Sequence, residues 1–577
     1  MSKRPSESAP SPGPGPGPGP GPGPAARAAV RRGASLTGRG AIAGVLALGA
    51  GIGAAELLTG VMGRPGASPV GAVGDWFIDV VPGWLADQAI DWFGTADKLA
   101  LGIGMAVVLA VAGAGIGVLT ARSRPAGLTV AGVLAAVAVV IVAGRPDTTG
   151  IDVVPMLVGG GVAVPVLGWL VRRAAPVGPG SRTPRDELPV DGAETRQATD
   201  VREVRENAER RDGGGPAGQD VADPSRRLFL RAAGSVAALA AGAGAVGRWI
   251  AGDRSGVEAA RDELAVDVEL PRADVPPGAD LDVSGADPWR TPNAEFYRID
   301  TAFRLPLIQP DEWRLRVHGM VERELELSYD ELLDMGLVDR WVTLTCVSNQ
   351  VGGDLVGNAL WTGVPLRDVL LLAGPNRDAD AVHSTSHDGW TCGTPLDALT
   401  DGRDALLAVA MNGEPLPVEH GFPVRMVVPG LYGYVSATKW VVDLAVTRFD
   451  QFQAYWTTRG WAERGPIKVS SRVEVPADGA TVASGQVAVA GTAWAQHRGI
   501  EAVEVRVDEG PWQLADLGTV PSDDTWRQWV YTWDAAPGEH VVEVRAITAD
   551  GEEQTGAIAP PAPDGATGWH RVTVTVA

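Results

Sequence analysis

Cysteine is nearly absent from this 577-residue chain, which has only Cys346 and Cys392. Two thiols build neither a disulfide scaffold nor a four-thiolate zinc site. Histidine is scarce too, and all seven (His318, His383, His387, His420, His497, His540, His570) follow residue 300. The apolar N-terminal part therefore has no imidazole with which to ligate a haem. Positive charge falls short as well: 49 Lys and Arg stand against 70 Asp and Glu, a net charge of −21. Nucleic acid is excluded as a partner, because phosphate neutralisation needs clustered cations that the soluble part lacks. What is abundant is unevenly distributed. Residues 40–171 are dominated by Ala, Gly, Val and Leu, whereas the part after residue 252 is acidic and carries most of the Trp. The length exceeds one core, so two or three folded units plus a membrane part are expected.

Residues 1–40 read as a disordered tail, the first 24 ending in a Gly-Pro run that cannot bury apolar surface, followed by the basic patch Arg27, Arg31, Arg32 and Arg39. Residues 41–173 form a four-helix transmembrane region, with apolar stretches at 41–62, 99–120, 128–143 and 153–171. Cations flank the start of the first stretch, the second connection (Arg122, Arg124) and the end of the fourth (Arg172, Arg173), while the 63–98 connection is acidic. That asymmetry puts the N-terminus in the cytoplasm and the acidic loop outside. Glu56, inside the first span, reads as a group near the outer interface or in a helix–helix hydrogen bond rather than a proton site. A polar cytoplasmic linker (174–224) precedes residues 225–250, where Arg226-Arg227 and a weakly apolar run resemble a twin-arginine export signal or a fifth membrane helix. Either reading puts everything beyond residue 252 outside.

Residues 285–465 mix short strands and helices. Trp313 to His318 alternates as a strand, Ser328 caps a helix start, and Trp341 to Thr345 is a buried strand delivering Cys346 to a polar, Gly-containing loop. A thiol so presented suits a soft metal, although a lone buried cysteine is commonly a small hydrophobe. Residues 466–577 alternate with period two between turns (Val503, Val505, Val507; Val542, Val544; Val572, Val574, Val576), as in an all-β sandwich.

The segments LTCVSNQVGGDLVGNALWTGVPLRDVL (344–370) and HGFPVRMVVPGLYGYVSATKW (420–440) resemble the sulfite oxidase family, and the C-terminal sandwich is similar to that family's immunoglobulin-like dimerisation domain. The implied fold is α+β: N-terminal transmembrane helices, a mixed α+β molybdopterin-binding domain and an all-β immunoglobulin-like sandwich. The implied cofactor is molybdenum-molybdopterin. Cys346 matches the family's metal-ligating thiolate. Phe296, Tyr297 and Arg298 match an element that holds the cofactor, with Arg298 facing an anionic substrate. Asp388, His420, Arg425, Ala437, Thr438 and Lys439 fall on positions that bind the pterin and its phosphate. Three positions depart from the sulfite-oxidising pattern: Val351 replaces an arginine, Trp461 a tyrosine (with Tyr455 nearby), and Asp300 a histidine. A site with one cation fewer and one carboxylate more holds sulfite dianion less well. The expected activity is two-electron oxygen-atom transfer on a small, sulfur-containing substrate, outside the membrane. The alternatives are a reductase of oxidised sulfur compounds, such as methionine sulfoxide, and a non-catalytic surface protein that keeps the fold. A separate cytochrome or quinone-linked protein would carry the electrons, and the C-terminal domain would form a homodimer. Cys392 is expected to be a reduced core residue.

Overall fold

The computed structural model describes residues 24–62, 68–80, 97–143, 150–174, 224–251, 254–267, 270, 274–302 and 305–577. The Gly-Pro run before residue 24, parts of the acidic connection and the 175–223 linker lie outside the described residues. The chain divides into two compact units, Met1–Ala251 and Gly252–Ala577.

The first unit holds α1 (Pro24–Val61), α2 (Pro69–Val80), α3 (Asp97–Arg122), α4 (Arg124–Ala143), α5 (Val154–Ala174) and α6 (Pro224–Ala251). Helix α1 starts well inside the segment read above as disordered tail, since the Ala- and Arg-rich residues after Pro24 are good helix formers. Five stretches are long and apolar enough to cross a membrane by length and composition: Leu36–Val61, Gly102–Arg122, Arg124–Ala143, Val154–Ala174 and Arg227–Val246. Helix α1 packs against α3, α5 and α6. The approach is close because the facing residues are small: a Cβ added to Gly44 would lie 1.9 Å from the Gly113 carbonyl oxygen, and one added to Gly117 2.0 Å from that of Gly40. Glu56 accepts a 2.6 Å hydrogen bond from Ser68 Oγ and one of 3.3 Å from the Val70 amide. Ser68 Oγ in turn accepts from Gly71 N at 3.2 Å, so the buried acid and the serine together cap α2.

The second unit opens with α7 (Arg254–Asp267), in the stretch between the anchor and the catalytic region to which the sequence assigned no element. Then come β1 (Arg314–Gly319), β2 (Leu325–Ser328), α8 (Tyr329–Leu333), β3 (Val338–Thr345), β4 (Val356–Pro365), α9 (Leu366–Ala373), β5 (Ala381–Ser386), β6 (Thr391–Pro395), α10 (Leu396–Thr400), β7 (Leu406–Met411), β8 (Glu414–Pro415), β9 (Arg425–Val427) and β10 (Val441–Thr447). Ser328 and Glu331 form the capping box that starts α8. One sheet runs β2-β1-β10-β5-β6 and another β3-β4-β7-β8, with β9 on β7. Trp313, Trp361 and Trp440 fill the core, and each indole N–H finds a carbonyl: Val441 at 2.8 Å, Val342 at 3.1 Å and Val418 at 3.1 Å.

The C-terminal part comprises β11 (Ser470–Val475), β12 (Thr481–Val482), β13 (Gly485–Trp494), β14 (Ile500–Val507), β15 (Gln513–Leu514), β16 (Asp516–Leu517), β17 (Arg527–Ala535), β18 (Gly538–Thr548) and β19 (His570–Val576). Its sheets, β11-β13-β17-β16 and β12-β19-β18-β14-β15, enclose Val489, Val503, Val505, Trp529, Val542, Val544, Val572 and Val574. This sandwich grips β3. Gln496 Nε2 donates to Thr343 O at 3.0 Å and to Thr345 Oγ1 at 2.8 Å, while the Trp526 amide donates to Thr343 Oγ1 at 2.7 Å. The strand end that carries Cys346 is thus braced by the sandwich.

Candidate cofactor and active site

Cys346 follows β3, and its amide donates to Leu355 O at 2.9 Å, which closes the 346–355 loop. Asn349 Oδ1 accepts the Leu355 amide at 3.0 Å and stiffens the same loop. The thiol is buried, and burial pushes its pKa up, opposed by hydrogen bonds from Ser348. Two tyrosines interact with it, and the Arg425 guanidinium stands by the first of them. Tyr297 is pushed up by burial and by Cys346 while Arg425 pulls it down, and Tyr432 is pushed up to about 12, mainly by burial. Gly433 leaves room here: a Cβ on it would lie 3.6 Å from Ala437 Cβ, 3.8 Å from Thr345 O and 4.0 Å from the Tyr297 hydroxyl.

Phe296 joins this group to His420. Its ring stacks on Tyr297 (centroids 5.2 Å apart) and meets the edges of Trp361 (5.7 Å) and His420 (5.6 Å). Arg425 lies over Trp361 at 5.0 Å and donates through Nη1 to His420 O (3.1 Å) and through Nε to Met426 O (3.3 Å). Burial lowers Arg425 to about 10. Lys439 is lowered to about 8, first by burial and then by Arg425 and Arg298, against the pull of Asp300. Asp300 ties the mouth together, its Oδ2 accepting Lys439 Nζ at 2.8 Å and Arg298 Nε at 2.9 Å. Lys439 also donates to Glu419 O at 3.2 Å.

The remaining positions distribute unevenly. Thr438 Oγ1 meets Ser384 Oγ at 2.7 Å beneath the pocket, and Cys392 lies on the neighbouring strand within reach of Thr394 Oγ1 at 3.7 Å. Burial pushes Cys392 up to about 11, and both cysteines are free. Asp388 stands apart at the β5–β6 turn, where its Oδ1 accepts the Trp390 amide at 3.3 Å. Val351 lines a small crevice with Thr345, Asn349, Gln350 and Tyr432 and with Ser470, Trp494 and Ala566 of the sandwich. Trp461 packs on Tyr434 (5.9 Å) and Trp456 (6.3 Å).

Residues 302–456 match the oxidoreductase molybdopterin binding domain, and residues 470–574 the bacterial Ig domain. The uncharacterized oxidoreductase YuiH of Bacillus subtilis (strain 168) is 34% identical over 154 residues, 27% of this chain and 74% of that protein. The chain belongs to the sulfite oxidase family. Human mitochondrial sulfite oxidase is 29% identical over 338 residues, which cover 50% of this chain and 62% of that enzyme, so the chain spans about three-fifths of the relative's length. The crystal structure of the sulfane dehydrogenase SoxCD from Paracoccus pantotrophus aligns over 51% of this chain and 82% of that chain at 21% identity, with a TM-score of 0.42.

The residues present fit the molybdenum-pterin group of the family. Among the described residues, Arg425 Nη2 has no protein partner, and Lys439 uses two of its three donors. The Ser386 hydroxyl is buried without a partner, two residues along the strand face that carries Ser384. These spare donors and the buried thiol are the chemistry that an anionic phosphate, a polar pterin and a soft metal require. Sequence reasoning missed Tyr432, Ser384 and the double role of Asp300. Only the repeated Ser and Thr on β5 and β6 hinted at a polar floor.

Proposed function

We propose that the second unit is a molybdenum-pterin oxidoreductase that carries out two-electron oxygen-atom transfer on a small substrate outside a bacterial-type membrane. The observation that carries this reading is the buried Cys346 thiol, sharing one neighbourhood with Tyr297 and the buried cation Arg425. The bound group would supply the oxo-transfer chemistry, with Cys346 as the protein's metal ligand. Arg425 and Lys439 would hold the phosphate, and His420, Ala437, Thr438 and Asp388 the pterin. Phe296 and Tyr297 would wall the metal from bulk water, and Arg298 would orient the substrate at the mouth.

The substrate class follows from charge. The Asp300 side chain is 4% exposed and already pairs with both Arg298 and Lys439. Valine at 351 adds no cation. A dianion entering this mouth would meet cations that are already neutralised, so we assign an uncharged or singly charged sulfur compound, taken in either redox direction. The membrane anchoring, the twin-arginine route, the outer location, the cytochrome or quinone-linked partner and a homodimer through the sandwich belong to the same proposal. The anchoring and the outer location rest on the five apolar stretches and on the charge asymmetry of their connections, the export route on Arg226-Arg227, the partner on the lack of histidine before residue 300, and the homodimer on the family resemblance of the sandwich.

Elemental analysis of the full purified chain tests it. We expect about one molybdenum per chain in the wild type and a depleted Cys346→Ser control, by the one-thiolate logic of the site. A metal-free wild type from a host that makes the cofactor would overturn the reading. Turnover with an artificial donor, set against an artificial acceptor, then fixes the direction.

A further inference from the structure

A continuous run of polar contacts leads from α7 to the His420 ring. Arg261 Nε donates to the Pro415 and Leu416 carbonyls, each at 3.0 Å, and Nη2 pairs with Glu414 Oε2 at 3.0 Å. The other Glu414 oxygen accepts Asn293 Nδ2 at 2.5 Å. Asn293 is held a second time, its Oδ1 accepting Asn412 Nδ2 at 2.7 Å. Its backbone carbonyl then meets His420 Nε2 at 3.1 Å.

A carbonyl can only accept, so Nε2 carries the proton. Burial, Arg425 and Lys439 lower His420 to about 4, and the ring is neutral at physiological pH. Its Nδ1 is therefore an acceptor, and among the described residues it has no protein partner. The chain of contacts matters because α7 does not seat tightly at this end. Val257 and Leu264 anchor it in the cluster of Phe296, Leu416 and Val418, but a cleft of about 220 Å³ separates it from Pro417, Val418 and Glu419. Beside these apolar contacts, Arg261 supplies a polar tie, to the Pro415 and Leu416 carbonyls and to Glu414.

We propose that Arg261 is a positioning residue of the cofactor site: through Glu414 and Asn293 it holds His420 with Nδ1 as an acceptor for a pterin N–H, which couples cofactor retention to the docking of α7. This rests on the reading of the second unit as a molybdenum-pterin enzyme. Helix α7 follows the fifth apolar stretch after a few residues. It is thereby a working part of the pocket as well as a connector.

The test measures release of the cofactor from the full-length holoprotein, followed by molybdenum content and by fluorescence of the liberated, oxidised pterin. Arg261→Ala is expected to release it up to about tenfold faster than wild type, the range for loss of one net hydrogen bond to the pterin. Arg261→Lys keeps the charge and one carbonyl bond, and should recover part of the loss. His420→Ala should release as fast as the double variant Arg261→Ala/His420→Ala, because both act on one path. Glu414→Gln, nearly isosteric, repeats the test if Arg261→Ala fails to fold. Release at the wild-type rate from the folded Arg261→Ala or Glu414→Gln protein would overturn the proposal, as would fully additive losses in the double variant. A wild type that never contains molybdenum or pterin would instead sink the enzymatic reading itself.

Discussion

The two units solve burial in opposite ways. In the first, helices meet at Gly40, Gly44, Gly113 and Gly117, and Glu56 is the buried ionisable group among the described residues. In the second, large indoles fill the core, and His420, Arg425 and Lys439 are all buried within one pocket. The physical reason is the solvent each is suited to. Between helices in lipid, removing apolar surface from water contributes nothing, so close backbone approach must hold them. In water, burying an aromatic side chain is strongly favourable and can offset the cost of dehydrated cations beside it. In the second unit buried charge includes this cluster as well as Arg472, Asp524 and Glu543 of the sandwich, whereas Glu56 is spent on capping a helix.

The largest expected effect comes from removing the thiol. Cys346→Ser should lower molybdenum-dependent turnover by more than about 100-fold, beyond the range for groups that only orient ligands. Steady-state rates per chain check this, and a variant that kept wild-type activity would break the assignment of the second unit's buried groups to catalysis.

Acid should reveal His420 next. Its ordinary value of 6.5 drops to about 4 in the folded protein, so as pH falls through that window the unfolded chain takes up a proton that the fold refuses. Stability contributed by the neutral ring is full above pH 6.5 and lost by pH 4, a change of about 3 kcal/mol. Urea titrations across this range, wild type against His420→Gln, should differ by that slope.

Lys439→Met removes one of the charge partners of Asp300, and should cost about 1–3 kcal/mol of stability. Asp300→Asn should move function more than stability: with Arg298 no longer neutralised, inhibition by sulfite should strengthen about tenfold, equivalent to one lost charge contact of about 1.4 kcal/mol. An unchanged inhibition constant would remove Asp300 as the determinant of substrate charge. The smallest effect is in the first unit. Glu56→Gln still accepts from Ser68 and should change helix stability by less than about 1 kcal/mol, whereas Glu56→Leu loses the cap and costs about 0.5–2 kcal/mol.

Much was legible from local pattern. The five apolar stretches, the capped start of α8, the strand ending before Cys346 and the alternating valines of the sandwich all depend on residues close in sequence, and periodicity reports those directly. The family resemblance named Phe296 to Arg298, His420, Arg425 and Ala437 to Lys439 from two short segments, and the fold brings Phe296, His420 and Arg425 into contact and Lys439 and Arg298 onto one carboxylate. Asp388 was named by the same resemblance, yet no hydrogen bond or ion pair ties it to the others.

What needed the folded chain was pairing across long separations. Asp300 clamps a lysine 139 positions away, Gln496 braces β3 from the sandwich, and Arg261 grips carbonyls more than 150 residues downstream. Helix α7 escaped notice because its apolar stripe is short, Val257 and Leu264 being its members in the core cluster, and its polar tie through Arg261 reaches residues far along the chain. The sequence by itself determined which segments avoid water and which chemistry the chain carries, since hydropathy and residue type are local properties. The tertiary structure decided which charges are neutralised and which donors stay spare, because a Coulomb interaction or a hydrogen bond depends on distance in space and not along the chain.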